Sequence, residues 1–249
     1  MKTRNLKPNH SVARIYSVRA LALALALSLT ALTSQNASAL GVCTVDAQSV
    51  ACVTSKVSSL QVVVNKTRPL NPATYYPSDL VKVSGKFNPY GRIVRKEVAA
   101  AVLTMGNQMQ ADGQGTLIVQ SGFRSYGSQK TIHDSKVRAL GKVKGENLAA
   151  RPGYSEHQTG LAIDFAAKGV SSLNIGFANT KAGKWLAANA YKYGFVLRYP
   201  KGKSAITGYQ YEPWHFRYVG VQVATAMHDG NVATLEEYFA LPAAPGYLN

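Results

Sequence analysis

The stretch "RPGYSEHQTGLAIDF", residues 151–165, decides how the rest of the chain is read. Its end, continued in "GLAIDFA" (160–166), alternates in the manner of a β-strand. It also sets His157 and Asp164 seven positions apart in a segment with little other charge. Such a pair suits a metal site, an ion pair, or two unrelated loop residues. The segments on either side narrow the choice.

Upstream, residues 95–111 ("RKEVAAAVLTMGNQMQA") carry apolar residues at helical spacing and end at Asp112-Gly113, which predicts a helix. "TLIVQSGF" (116–123) reads as a buried strand with its exit at Ser121-Gly122, and 126–140 as a second helix closed by Gly141. Further upstream, residues 60–83 hold a strand-like apolar run and then Pro-punctuated irregular chain. Downstream, "TKAGKWLAANAYKYG" (180–194) is an amphipathic helix with Gly194 as its C-cap. "FVLRYP" (195–200) and "YQYEPWHFRYV" (209–219) are strands rich in aromatic and β-branched residues. A helix at 220–229 and "TLEEYFA" (234–240) close the chain. Helices and strands are mixed without a βαβ alternation. The expected class is α+β, a small antiparallel sheet flanked by helices.

The first 39 residues read differently. Five basic residues precede the first carboxylate, Asp46, and an apolar run at 20–33 leads to "NASAL". This is the layout of a secretory signal cleaved after Ala39. A membrane-spanning helix needs roughly 20 apolar residues, and the run is shorter. Val42 before Cys43 is too bulky for a lipid-attachment site. The expectation is an exported chain with no transmembrane anchor once the leader is removed. Three parts follow: the signal (1–39), an N-terminal segment (40–58) in which Cys43 and Cys52 form a local disulfide, and a catalytic domain (59–249). Cleavage leaves 23 of the 28 basic residues against all 12 acids, a net charge of +11. That favours an anionic partner such as a wall polymer. No Lys/Arg run is interleaved with aromatics, so nucleic acid is not expected.

The chemistry gathers in two places. "TGYQYEPWHFRYVG" (207–220) sets Glu212 and His215 three apart. Taken together, His157, Asp164 and His215 offer two imidazoles and a carboxylate, which suits a catalytic zinc with three protein ligands and an open position. Glu212 has the type and location of a general base acting on a water there. Residues three apart on a regular strand face opposite ways, so Glu212 and His215 can converge only if the strand is interrupted. Pro213 lies between them, and proline is confined to strand edges, starts and bulges. An irregularity at Glu212–Trp214 is predicted. Arg124, at the exit of the 116–123 strand, could stabilise an oxyanion or hold a terminal carboxylate.

"SGFRSYGSQ", "ARPGYSEHQTGLAIDF", "WLAANAYKYGFVLRYPKGK" and "ITGYQYEPWHFRYVG", in this order and spacing, resemble the VanY-type D-alanyl-D-alanine carboxypeptidases, zinc peptidases of bacterial peptidoglycan. The resemblance runs from about Val64 to 234–240. It implies zinc ligands at His157, Asp164 and His215 on the sheet, a general base at Glu212 and a substrate-holding arginine at Arg124. It also implies a pocket for the terminal D-alanine lined by Gln129 and Ser155, with Trp214 as one wall. The expected activity is removal of the terminal D-alanine from a peptidoglycan stem peptide by a secreted, wall-associated enzyme. The motifs equally accommodate L,D-carboxypeptidase or endopeptidase action. A non-catalytic wall-binding module would be expected to lose the base or a ligand. Glu156 reads as an outward-pointing charge or a partner of the ligand beside it.

Overall fold

The computed structural model describes residues 50–167 and 173–248. The predicted signal segment and Cys43, with its predicted disulfide, lie outside these residues. In chain order the elements are α1 (Val50–Ser55), β1 (Leu80–Lys82), β2 (Ile93–Arg95), α2 (Lys96–Ala111), β3 (Leu117–Ser121), α3 (Tyr126–Leu140) and α4 (Lys142–Leu148). A 3-10 turn at Glu156–Thr159 leads into β4 (Ala162–Ala167). Then come α5 (Lys181–Asn189), β5 (Phe195–Leu197), α6 (Ser204–Thr207), β6 (His215–Tyr218), α7 (Val221–Asp229) and α8 (Leu235–Tyr238). No helix among the described residues is long and apolar enough to cross a membrane.

The main sheet has four strands in the order β3-β4-β6-β5, every pairing antiparallel, and β1 and β2 form a separate ribbon. The α+β expectation holds. β4 lies inside the sheet and is buried on both faces. Its odd positions, Ile163 and Phe165, enter the main core, where Phe165 meets the rings of Phe195 and Phe216. Its even positions point the other way, and Asp164 is one of them. α2 covers the core face with Val98, Val102, Met105 and Met109, spaced at one helical stripe. Gly106 on that helix lets Phe87 approach; a Cβ there would stand 2.9 Å from its ring.

Two expectations about regular structure need correction, and a third element is extended. The apolar run at 60–64 is not a strand, although Val62, Val63 and Val64 are buried. Its carbonyls find a side chain instead of a neighbouring strand: Arg217 Nη2 donates to the carbonyls of Leu60 and Val62 at 3.0 and 2.7 Å. The strand predicted at 209–219 begins only at His215. Gly141 (φ 78°) does end α3, but the polar, glycine-bearing segment after it turns straight into α4. There Gly145 lies so close to Val137 that a Cβ would come within 2.7 Å of its Cα.

Candidate metal centre and cleft

Strand register brings the first two ligand candidates together. Asp164 of β4 lies directly opposite His215 of β6 and so shares its face of the sheet. On the other side of β4 the register shifts between Val119 and Ser121, and Ser121 becomes the partner of Asp164. This bulge turns β3 from its core-facing Val119 to a site-facing hydroxyl. The third candidate, His157, arrives from the 3-10 turn. Gly160 caps that turn at φ 70°, a left-handed conformation, and a Cβ there would meet Arg95 Cγ at 2.9 Å. The chain between Glu212 and His215 turns at Pro213–Trp214, with the His215 amide donating to the Glu212 carbonyl at 3.0 Å. The predicted irregularity is present, and it lets Glu212 face His215.

His157, Asp164 and His215 are all buried, with donor atoms within 4.8 Å of one another. Among the described residues they form the only such group of three or more His, Cys, Asp or Glu side chains. His157 Nδ1–H donates to the Gly122 carbonyl at 2.8 Å, which leaves the Nε2 lone pair facing Asp164 Oδ2 at 3.2 Å. His215 Nδ1 stands 3.2 Å from Asp164 Oδ1. Yet Asp164 Oδ1 and His215 Nε2 are buried with no hydrogen-bond partner. Donors held about 2.0–2.1 Å from a tetrahedral zinc are about 3.3 Å apart, and each imidazole nitrogen stands at about that distance from Asp164, beside a different carboxylate oxygen. A set of two imidazoles and a carboxylate converging in this way fits zinc.

The electrostatics agree with that fit. Burial alone would raise the Asp164 carboxyl, but the imidazoles of His157 and His215 hold it far below the usual carboxylate range. Burial disfavours a charged His215. The carboxylates of Asp164 and Glu156 outweigh it and push the pKa up to about 9. His157 is lowered, chiefly by burial. Glu212 Oε2 lies 3.6 Å from His215 Nδ1. Burial pushes its pKa up to about 7, with His215 and Arg124 opposing the shift.

These groups border a cleft of about 350 Å³ that also takes in Arg124, Ser155, Tyr199, Tyr209 and Trp214. Arg124 Nη1 donates to Gln129 Oε1 at 2.8 Å and Nη2 to Ser121 Oγ at 3.3 Å. Gln129 is fully buried and passes its own amide hydrogen to the Ala150 carbonyl at 2.6 Å. It stands behind the arginine, not on the cleft wall where the sequence reading puts it. Ser155 and Trp214 do line the cleft.

Glu156 does not point outward. Its side chain is fully buried, and Oε1 accepts from Arg198 and from Arg217, each at 2.9 Å. Arg198 also binds both oxygens of Glu236, at 2.9 and 2.7 Å, and Glu236 accepts from Asn65 at 2.9 Å. Sequence reasoning missed this cluster. The available signal is two arginines inside otherwise apolar strands, where a charge demands a partner.

Residues 91–221 match the family model VanY, D-alanyl-D-alanine carboxypeptidase. A D-alanyl-D-alanine carboxypeptidase of Enterococcus faecium is 37% identical over 169 residues, 65% of this chain and 51% of that protein. Among solved structures, the LdcB LD-carboxypeptidase superposes with TM-score 0.67 at 45% identity, covering 74% of this chain and 87% of its own. A vancomycin-resistance D,D-pentapeptidase VanY mutant in complex with Zn(II) gives 0.61 at 34% identity, covering 73% and 98%. The chain spans 51% to 65% of the length of the curated relatives it matches.

Proposed function

The chain belongs to the VanY family of D-alanyl-D-alanine carboxypeptidases, and on that premise we propose that it is a secreted zinc D,D-carboxypeptidase removing the terminal D-alanine of peptidoglycan stem peptides. The observation that carries this reading is the convergence of His157, Asp164 and His215 beside Glu212 and Arg124 on one cleft. A zinc ion bound by the three ligands supplies Lewis acidity, which lowers the pKa of a water to about 7 and polarises a carbonyl.

The chain's own groups do the rest. Glu212, desolvated and poised near neutrality, takes the proton of the attacking water and returns it to the leaving amine. Arg124 faces the charge that develops on the carbonyl oxygen, or the terminal carboxylate of the peptide. Gln129 and Ser121 hold that guanidinium from behind. Ser155 and Trp214 border the terminal residue. The net positive charge retained after signal cleavage suits a wall rich in anionic polymers.

L,D-carboxypeptidase action on tetrapeptide stems is a second reading, favoured by the 45% identity to LdcB, an LD-carboxypeptidase. Zinc-loaded protein incubated with defined pentapeptide and tetrapeptide stems separates the two by product mass. Loss of one alanine from the pentapeptide alone supports the D,D reading. Loss from the tetrapeptide moves the specificity while keeping the site. No change in either stem refutes both.

A further inference from the structure

Glu156 is next to a ligand in sequence but takes no part in the proposed chemistry, and its two carboxylate oxygens have different surroundings. Oε1 accepts from Arg198 and Arg217. Oε2 is buried with no hydrogen-bond partner and stands 3.6 Å from His215 Nε2, which is also buried and unpartnered. Unpaired buried polar atoms are costly, and these two face each other. A small closure satisfies both.

We propose that Glu156 is the positioning residue of the metal centre. It fixes His215 with its proton on Nε2 and its Nδ1 lone pair turned toward Asp164 and His157, and Arg198 and Arg217 hold Glu156 in place. The inference rests on the metal reading above. Carboxylates behind metal-binding imidazoles set the tautomer and raise ligand basicity. Here the supporting shell reaches beyond residues 91–221, because Arg198 continues to Glu236 on α8 and Asn65, while Arg217 ties down the carbonyls of Leu60 and Val62. Both ends of the domain are thereby tied to one ligand.

The test is zinc affinity by chelator competition, with melting of the metal-free protein measured in parallel. E156Q keeps an oxygen for the two arginines but turns an N–H donor toward His215, which opposes a proton on Nε2. The expected result is zinc binding about 10- to 100-fold weaker. A variant with lower metal-free melting and zinc affinity within threefold of the parent overturns the proposal, because a purely structural role does that. If E156Q does not fold, E236Q decides: weakened zinc binding supports the linkage and unchanged binding overturns it. E237Q, which breaks an exposed pair with Lys203, should leave affinity unchanged, and an equal loss there also overturns it. Failure of the parent itself to bind zinc refutes the functional reading instead.

Discussion

Replacing Arg198 with methionine removes the centre of the buried ionic cluster, and the cost can be worked from its contacts. Arg198 makes three charge-assisted hydrogen bonds, at 2.9 Å to Glu156 and at 2.9 and 2.7 Å to Glu236. The Arg198, Arg217 and Glu156 side chains and that of Glu236 are all buried, so no solvent screens the loss. Two guanidiniums and two carboxylates balance in the parent; without Arg198 one negative charge is unmatched. Removing one partner of a buried pair costs about 3–5 kcal/mol. At about 2–4 °C per kcal/mol for a domain of this size, R198M should melt about 6–20 °C below the parent. Scanning calorimetry on metal-free protein is the assay, which keeps metal linkage out of the comparison. R198M/E236M deletes the opposing charge as well and should recover at least half of the loss. R198M melting within 2 °C of the parent would refute the electrostatic account. A double variant melting lower still would assign the loss to packing of the arginine stem.

Three further outcomes follow from the same geometry. E212Q should lower kcat by about 10²- to 10⁴-fold with zinc content unchanged, since Glu212 is outside the ligand set; a variant keeping a tenth of parental kcat in a stopped assay would remove the base from the mechanism. Burial alone would raise the Glu236 carboxyl, but Arg198 and Asn65 hold it below the usual range. Its stabilisation is therefore full above the unfolded value of about 4.3 and is lost as pH falls through the lower folded value. Melting of the parent should decline below pH 4 more steeply than that of E236Q, and parallel curves would contradict this. G160V, placing a β-branched side chain at φ 70° against Arg95 and Leu80, should cost about 1–3 kcal/mol by denaturant titration and loosen the turn that carries His157.

The parts of the fold that the sequence makes legible are those whose burial follows a period. The stripe of α2, the Gly194 cap after α5 and the strands holding Val119, Asp164 and Phe216 all follow local pattern. Pro213 alone foretells the turn that lets Glu212 face His215. What escapes the sequence depends on long-range pairing. Val62–Val64 look like a strand because nothing local says that Arg217, more than 150 residues away, will satisfy the neighbouring carbonyls. Gln129 reads as a pocket-lining residue, yet it is the most buried residue of α3, with its side chain tied to Arg124 and to the Ala150 carbonyl behind the cleft. For Glu156 the sequence leaves an outward-pointing charge and a partner of the ligand both open, and only the two distant arginines that converge on one of its oxygens decide that it is buried.

Register joins these observations. Because Asp164 pairs with His215 and Ala162 with Arg217, one face of β6 delivers a ligand and, two residues on, the guanidinium that holds Glu156 behind that ligand. The opposite face carries Phe216 into the core beside Phe165. A slip of one residue would exchange the faces, sending Phe216 toward the cleft and His215 into the hydrocarbon. The packing of Phe165, Phe195 and Phe216 forbids it. Core packing thus fixes the metal geometry indirectly: the aromatic face selects the register, the register pairs two ligands, and the bulge in β3 brings Ser121 beneath Arg124. A substitution in the core that loosens register, such as F216A, acts on the site through this chain of dependence even though Phe216 does not line the cleft.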